Sequence, residues 1–174
     1  MTDTAAAPSA RPAAFGDLEN ELANTRKVLA RVPDEHWHWK PHEKSMSLGA
    51  LAGHLAQLPW LAQSVVTRDE FNVGQGGLPA PPPNREELLS TFDQASAALV
   101  EAVNAAPAQA WGQTWSLKAR GQTFLSMPRA AALRLMGISH PIHHRGQLTV
   151  YLRLLGIPVP GLYGPSADEP FGGG

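Results

Sequence analysis

Three of the chain's seven histidines stand within five residues, in the run His140-Pro141-Ile142-His143-His144-Arg145-Gly146-Gln147. On a helix, His140 and His144 lie one turn apart and project from the same side. Two imidazoles so placed can grip one metal ion. A third ligand has to come from elsewhere in the chain, and His54 is the strongest candidate. It follows Leu51 by three residues and precedes Leu58 by four, so it occupies the apolar stripe of its own helix. Leucine suits such positions better than imidazole, whose desolvation needs compensation. Coordination by neutral imidazoles supplies that compensation, and hydrogen bonding inside a core is the alternative. His143 lies i, i+3 from His140 and rivals His144, but it points about 100° away from its neighbour, toward surface or interface. Three neutral ligands leave a divalent ion's charge undiminished and its coordination open, which lowers the pKa of a bound water or thiol. Arg145 reads as a partner for an anionic ligand or as a surface ion pair, and Gln147 as hydrogen-bonding support for a ligand. Both are carried as cofactor-binding candidates.

The elements that must position these residues follow from periodicity. Phe15, Leu18, Leu22, Thr25, Leu29 and Val32 recur at spacings of three and four, an amphipathic helix ended by Pro33. Ser45 or Ser47 caps a second helix with the stripe Leu48, Leu51, Leu55, Leu58, Ala62 and Val65, which Pro59 should kink. Asn84 and Glu87 open a third, striped by Leu88, Phe92, Ala95, Leu99 and Val103. Ser126 and Pro128 start a fourth that carries Leu133, His140, His144, Tyr151 and Leu155 and stops at Gly156. Pro141 frees the carbonyl of Gly137, so a kink or bulge is expected where the histidines cluster.

Between these helices, residues 33–46 read as an extended connector with the Trp37 and Trp39 indoles on one side, and with His36, His38 and His42 as exposed loop histidines. Residues 72–84 are Gly-rich, then Pro-rich, and suit a long crossover joining parallel neighbours. Residues 108–127, with Trp111, Trp115 and Phe124, read as a loop or short hairpin over one end. The expected class is all-α, a four-helix bundle with a long crossover between its second and third helices. Residues 1–12 form an expected disordered leader, 13–166 a single domain and 167–174 a flexible tail.

At 174 residues and a formal net charge of −1, the chain lacks the basic footprint of a nucleic-acid binder. It contains no cysteine, so any sulfur chemistry needs an external thiol. No signal peptide or membrane-length apolar run is read, and a cytoplasmic protein is expected.

Several segments together resemble the DinB-like superfamily, which includes YfiT-type proteins and relatives of the mycothiol-dependent maleylpyruvate isomerase N-domain. They are Trp39-Lys40-Pro41, Ser47-Leu48-Gly49-Ala50-Leu51-Ala52-Gly53-His54-Leu55, His140-x-x-x-His144-Arg145-Gly146-Gln147, Tyr151-Leu152-Arg153-Leu154-Leu155-Gly156 and Tyr163-Gly164-Pro165-Ser166. The resemblance implies a four-helix bundle, often a homodimer, with a divalent metal on a histidine triad. By motif, the triad falls on His54, His140 and His144. Zinc or nickel heads the choice of metal, with manganese or iron also acceptable. Some relatives are transferases or isomerases that use bacillithiol- or mycothiol-type thiols. The expectation is therefore a metal-dependent transferase, or hydrolase, acting on an electrophilic small molecule under the Trp-bearing loops. A non-enzymatic metal or small-ligand binder of a stress response is the alternative.

Overall fold

The computed structural model of the chain describes residues 12, 15–74 and 80–171. Apart from Pro12, the expected leader lies outside the described residues, as do the last three residues of the expected tail.

Helix α1 (Leu18–Leu29) buries the predicted stripe, and Glu21, Asn24 and Val28 besides. Helix α2 (Leu48–Thr67) begins at Ser47, whose hydroxyl accepts the Ala50 N–H at 3.2 Å, and stays helical through Pro59. Helix α3 (Arg85–Ala105) is opened by Asn84, whose side-chain oxygen accepts the Glu87 N–H at 2.9 Å. A fourth rod is made of α4 (Arg129–Leu133), a π-helical turn (Arg134–Ser139) and α5 (His140–Leu154), which follow one another without a gap. Pro141 cannot supply the N–H that an α-helical ladder needs, and the backbone responds by widening: the His140 N–H reaches back five residues to the Leu135 carbonyl. The expected bulge is thus a π turn. At the far end Gly156 (φ 72°) closes the helix, with the Ile157 N–H on the Leu152 carbonyl at 2.9 Å.

Pairs of contacts give the helix directions. The Asp34 carboxylate accepts the Arg85 N–H at the start of α3 and Trp37 close by covers Gly49 at the start of α2, while Gln57 and Trp60 further on share a recess with Thr91 and Gln94, so α2 and α3 run parallel. Met46 meets Tyr151 while Ala62 approaches Gly137, so α2 and the fourth rod run antiparallel. Asp17 pairs with Arg134 and Glu21 with Arg145, so α1 runs parallel to that rod. The crossover that makes α2 and α3 parallel returns along α2: Gln57 donates to the Ala80 carbonyl, and Pro81 and Pro82 lie over Gly53.

The all-α expectation needs correction. The chain is mostly helical, but it also carries a three-stranded sheet of order β1 (Glu70–Val73), β2 (Thr114–Ala119) and β3 (Gln122–Pro128). Strands β2 and β3 form a hairpin across Arg120 and Gly121, both at positive φ, as a two-residue turn matching strand twist requires. Strand β1 adds to β2 in parallel and takes the first residues of what reads in sequence as crossover. Fully buried Trp115 anchors the sheet, and Arg129 ties it to the end of α2 by donating to the Val65 and Val66 carbonyls.

Residues 33–46 also differ from expectation. They coil through a 3₁₀ turn (Asp34–His36) instead of extending, so the indoles part company: Trp37 lies over Gly49 and Trp39 meets Tyr151 edge-on at 5.7 Å. At the other terminus, Asp168 and Glu169 fall in the expected flexible tail, yet they accept the Val159 and Gly161 N–H groups and pair with Arg153 and Arg31.

Candidate metal centre

His54 sits about two turns into α2, and His140 and His144 in the first turns of α5. Gly137 brings these two helices close. A β-carbon there would stand 3.2 Å from Ala62 Cβ, so the missing side chain lets the π turn rest on α2. One turn further along, His54 Nε2 lies 3.4 Å from His140 Nε2, and His140 Nε2 lies 2.8 Å from His144 Nε2. One nitrogen from each ring falls within 4.8 Å of the other two. Nitrogens bonded to a zinc-sized ion at about 2.0–2.1 Å stand about 3.3 Å apart at tetrahedral angles and about 2.9 Å apart at right angles. The two separations match those edges, so the donor set fits a divalent ion.

The electrostatics agree with the geometry. Burial first, then the neighbouring His144, His54 and His143, hold the His140 pKa down at about 4. Burial, followed by His144, lowers that of His54 as well. Both rings are therefore neutral at pH 7, the form in which imidazole binds metals. His144 is oriented from behind: its Nδ1 lies 2.8 Å from Gln147 Oε1, an acceptor, which places the proton on Nδ1 and leaves the Nε2 lone pair facing the other two rings. Nitrogen lone pairs gathered this way repel one another unless protons or a cation come between them.

The remaining candidates separate clearly. Gln147, read from sequence as hydrogen-bonding support for a ligand, lies against His144. Arg145 is 1% exposed and turns away from the triad: it pairs with Glu21 Oε2 at 2.6 Å, donates to the Glu21 carbonyl and Thr25 Oγ1, and contacts the Tyr163 hydroxyl. Its donors are used inside the protein, in place of the surface pair or ligand contact read from sequence. His143 is exposed, its ring 4.9 Å from that of His144. A recess of about 290 Å³ on that side is lined by Leu135, Met136, Ser139, His140 and His143. It adjoins one triad member, away from the Trp37 and Trp39 turns where the substrate space was expected. His36, His38 and His42 join no metal-binding group among the described residues.

Glu21 is the residue that sequence reading missed. Its signal was spacing: Leu18, Glu21, Thr25 and Val28 share a helix face, and Arg145 keeps step with Pro141, Leu148 and Leu152. Opposite charges at apolar-face positions of two helices point to a buried pair.

Comparison with known proteins converges on one family. A model described as the DinB family matches residues 15–170. Over 154 residues the chain is 29% identical to the uncharacterized protein YrdA of Bacillus subtilis (strain 168), covering 87% of this chain and 86% of that protein. A crystal structure of a DinB-like protein from Bacillus cereus ATCC 10987 superposes with a TM-score of 0.68 at 23% identity, covering 86% of this chain and 95% of that one. The DinB-like protein YjoA of Bacillus subtilis gives 0.62 at 17% identity, covering 92% and 99%. At these identities the structural likeness speaks for the fold.

Proposed function

Since the chain belongs to the DinB family, we propose that His54, His140 and His144 hold a divalent metal ion, zinc or nickel before manganese or iron, and that the protein is a metal-dependent transferase for a low-molecular-weight thiol. One observation carries the reading: three imidazoles, drawn from two antiparallel helices, converge at 2.8 and 3.4 Å between neighbouring nitrogens. Bound there, a divalent ion supplies an undiminished positive charge that favours the thiolate form of a bound thiol. Gln147 holds the His144 tautomer, and burial keeps His54 and His140 unprotonated. The chain has no cysteine of its own, so the nucleophilic sulfur comes from outside, as in bacillithiol- or mycothiol-type cofactors. The recess along Leu135, Met136 and His143 offers the electrophile a mostly apolar bed beside His140. Arg145 serves the scaffold in this reading.

A second reading, a non-enzymatic metal binder, is favoured by the make-up of the group: histidines alone, with no carboxylate among its members in the described residues. Thiol binding by zinc-loaded protein separates the two readings.

The test of the site itself is metal content. Protein purified without a histidine tag is expected to carry about one ion per chain by mass spectrometry. His54→Ala, His140→Ala and His144→Ala should each lose it. Parent protein that is metal-free and ignores added zinc and nickel would sink the proposal.

A further inference from the structure

The Glu21–Arg145 pair is an expensive thing to place in a core. Both side chains are almost fully buried, at 7% and 1% exposure. Replacing such a pair with well-packed apolar residues is often neutral or stabilising, so fold stability alone does not account for it. What the pair adds is direction. Arg145 Nη1 donates to the Glu21 carbonyl at 2.9 Å and to Thr25 Oγ1 at 3.1 Å, while Nη2 donates to Glu21 Oε2 at 2.6 Å. The Tyr163 hydroxyl closes the set, donating to Glu21 Oε2 at 2.7 Å. A planar guanidinium held at several points resists rotation and sliding far more than leucines in contact would.

Arg145 is the next residue after His144, and its partners lie on α1 and the C-terminal segment, neither of which contributes a triad member. An imidazole tip on a helix of outer radius about 5–6 Å swings about 1 Å for each 10° of rotation about the axis. Metal–ligand distances tolerate only about 0.2 Å. We propose that the buried Glu21–Arg145 pair, capped by Tyr163, fixes the rotation of α5 and thereby positions His140 and His144 against His54 for their ion. Glu21, Arg145 and Tyr163 are positioning residues here. The inference rests on the metal reading above and adds to it the device that keeps the triad in register.

The experiment compares parent protein, the apolar double replacement Glu21→Met/Arg145→Met, and Tyr163→Phe. Zinc affinity is measured by competition with a chromophoric chelator, and the urea midpoint is measured on the metal-free form. The double replacement is expected to unfold cooperatively at or above the parental midpoint while zinc affinity falls about 10- to 100-fold, the loss usual for residues that orient ligands. Tyr163→Phe keeps the pair and removes its cap, and should weaken zinc several-fold with little change in midpoint. A double replacement that folds like the parent and binds zinc as tightly overturns the positioning role and leaves the triad standing. Should the double replacement fail to fold, unchanged affinity in Tyr163→Phe overturns it instead. Parent protein that binds no zinc removes the metal reading and this inference together, a pattern distinct from either.

Discussion

His140 concentrates the chemistry of the site in one side chain. Its folded pKa of about 4 lies below the ordinary 6.5 because burial and three neighbouring imidazoles disfavour its charged form. Between those two pH values the unfolded chain binds the proton and the folded one does not. Stability of the metal-free protein must therefore rise with pH across this window, be complete above about 6.5, and be lost as pH falls toward 4. His54, shifted in the same direction, adds to the slope. Urea midpoints of metal-free parent and His140→Leu from pH 4 to 7 should show a shallower rise in the variant. Parallel curves would place the titration elsewhere. Gln147 works at the same scale, since one amide oxygen decides which nitrogen of His144 faces the cluster.

Among the elements, the π turn before α5 has the largest consequence. Pro141 withholds a backbone donor, the helix widens over Arg134–Ser139, and Gly137 within that turn lets the rod approach α2. A methyl group at Gly137 would meet Leu133 Cδ1 at 3.1 Å, which can rotate away, and Ala62 Cβ at 3.2 Å, which is fixed to α2. For Gly137→Ala, the gain of about 1 kcal/mol in helix propensity roughly offsets this crowding, and stability should stay near the parental value. Gly137→Val adds bulk with less propensity gain, so overpacking of about 1–3 kcal/mol should win. Because the same seam sets the distance from His54 to His140, Val should also weaken zinc binding. The check is a urea midpoint and a zinc titration on both variants. A valine variant matching the parent in both would show that the seam does not set that distance.

At the scale of the whole molecule, α5 presents two exposed apolar side chains to its surroundings. Val150 and Leu154, one turn apart, are 57% and 62% exposed. The homodimer implied by the resemblance is tested on this stripe. Sedimentation velocity on the parent should report a dimer, and Val150→Asp/Leu154→Asp a monomer with unchanged metal content. Substitutions at exposed positions ordinarily shift stability by less than about 0.5 kcal/mol, so a folded monomeric variant is the expected product. A monomeric parent would refute the interface. Among the described residues, no helix is long and apolar enough to cross a membrane.

The sequence alone determined whatever is written within a few turns of chain. Caps at Ser47 and Asn84, the stop at Gly156, the stripes of α1 to α3 and the one-turn spacing of His140 and His144 all rest on bonds and periodicities between near neighbours. The same short motifs sufficed to point to the family. Tertiary structure decided which faces meet. Arg145 finds Glu21 across 124 residues, and nothing local marks the partner that turns an apparent surface charge into a buried one. Strand β1 buries only Phe71 and exists because β2, far along the chain, offers an edge for parallel pairing. His54 could have been a core histidine with a hydrogen bond. It stands 3.4 Å from His140 because α2 and α5 run antiparallel and Gly137 lets them touch, a relation no local pattern encodes.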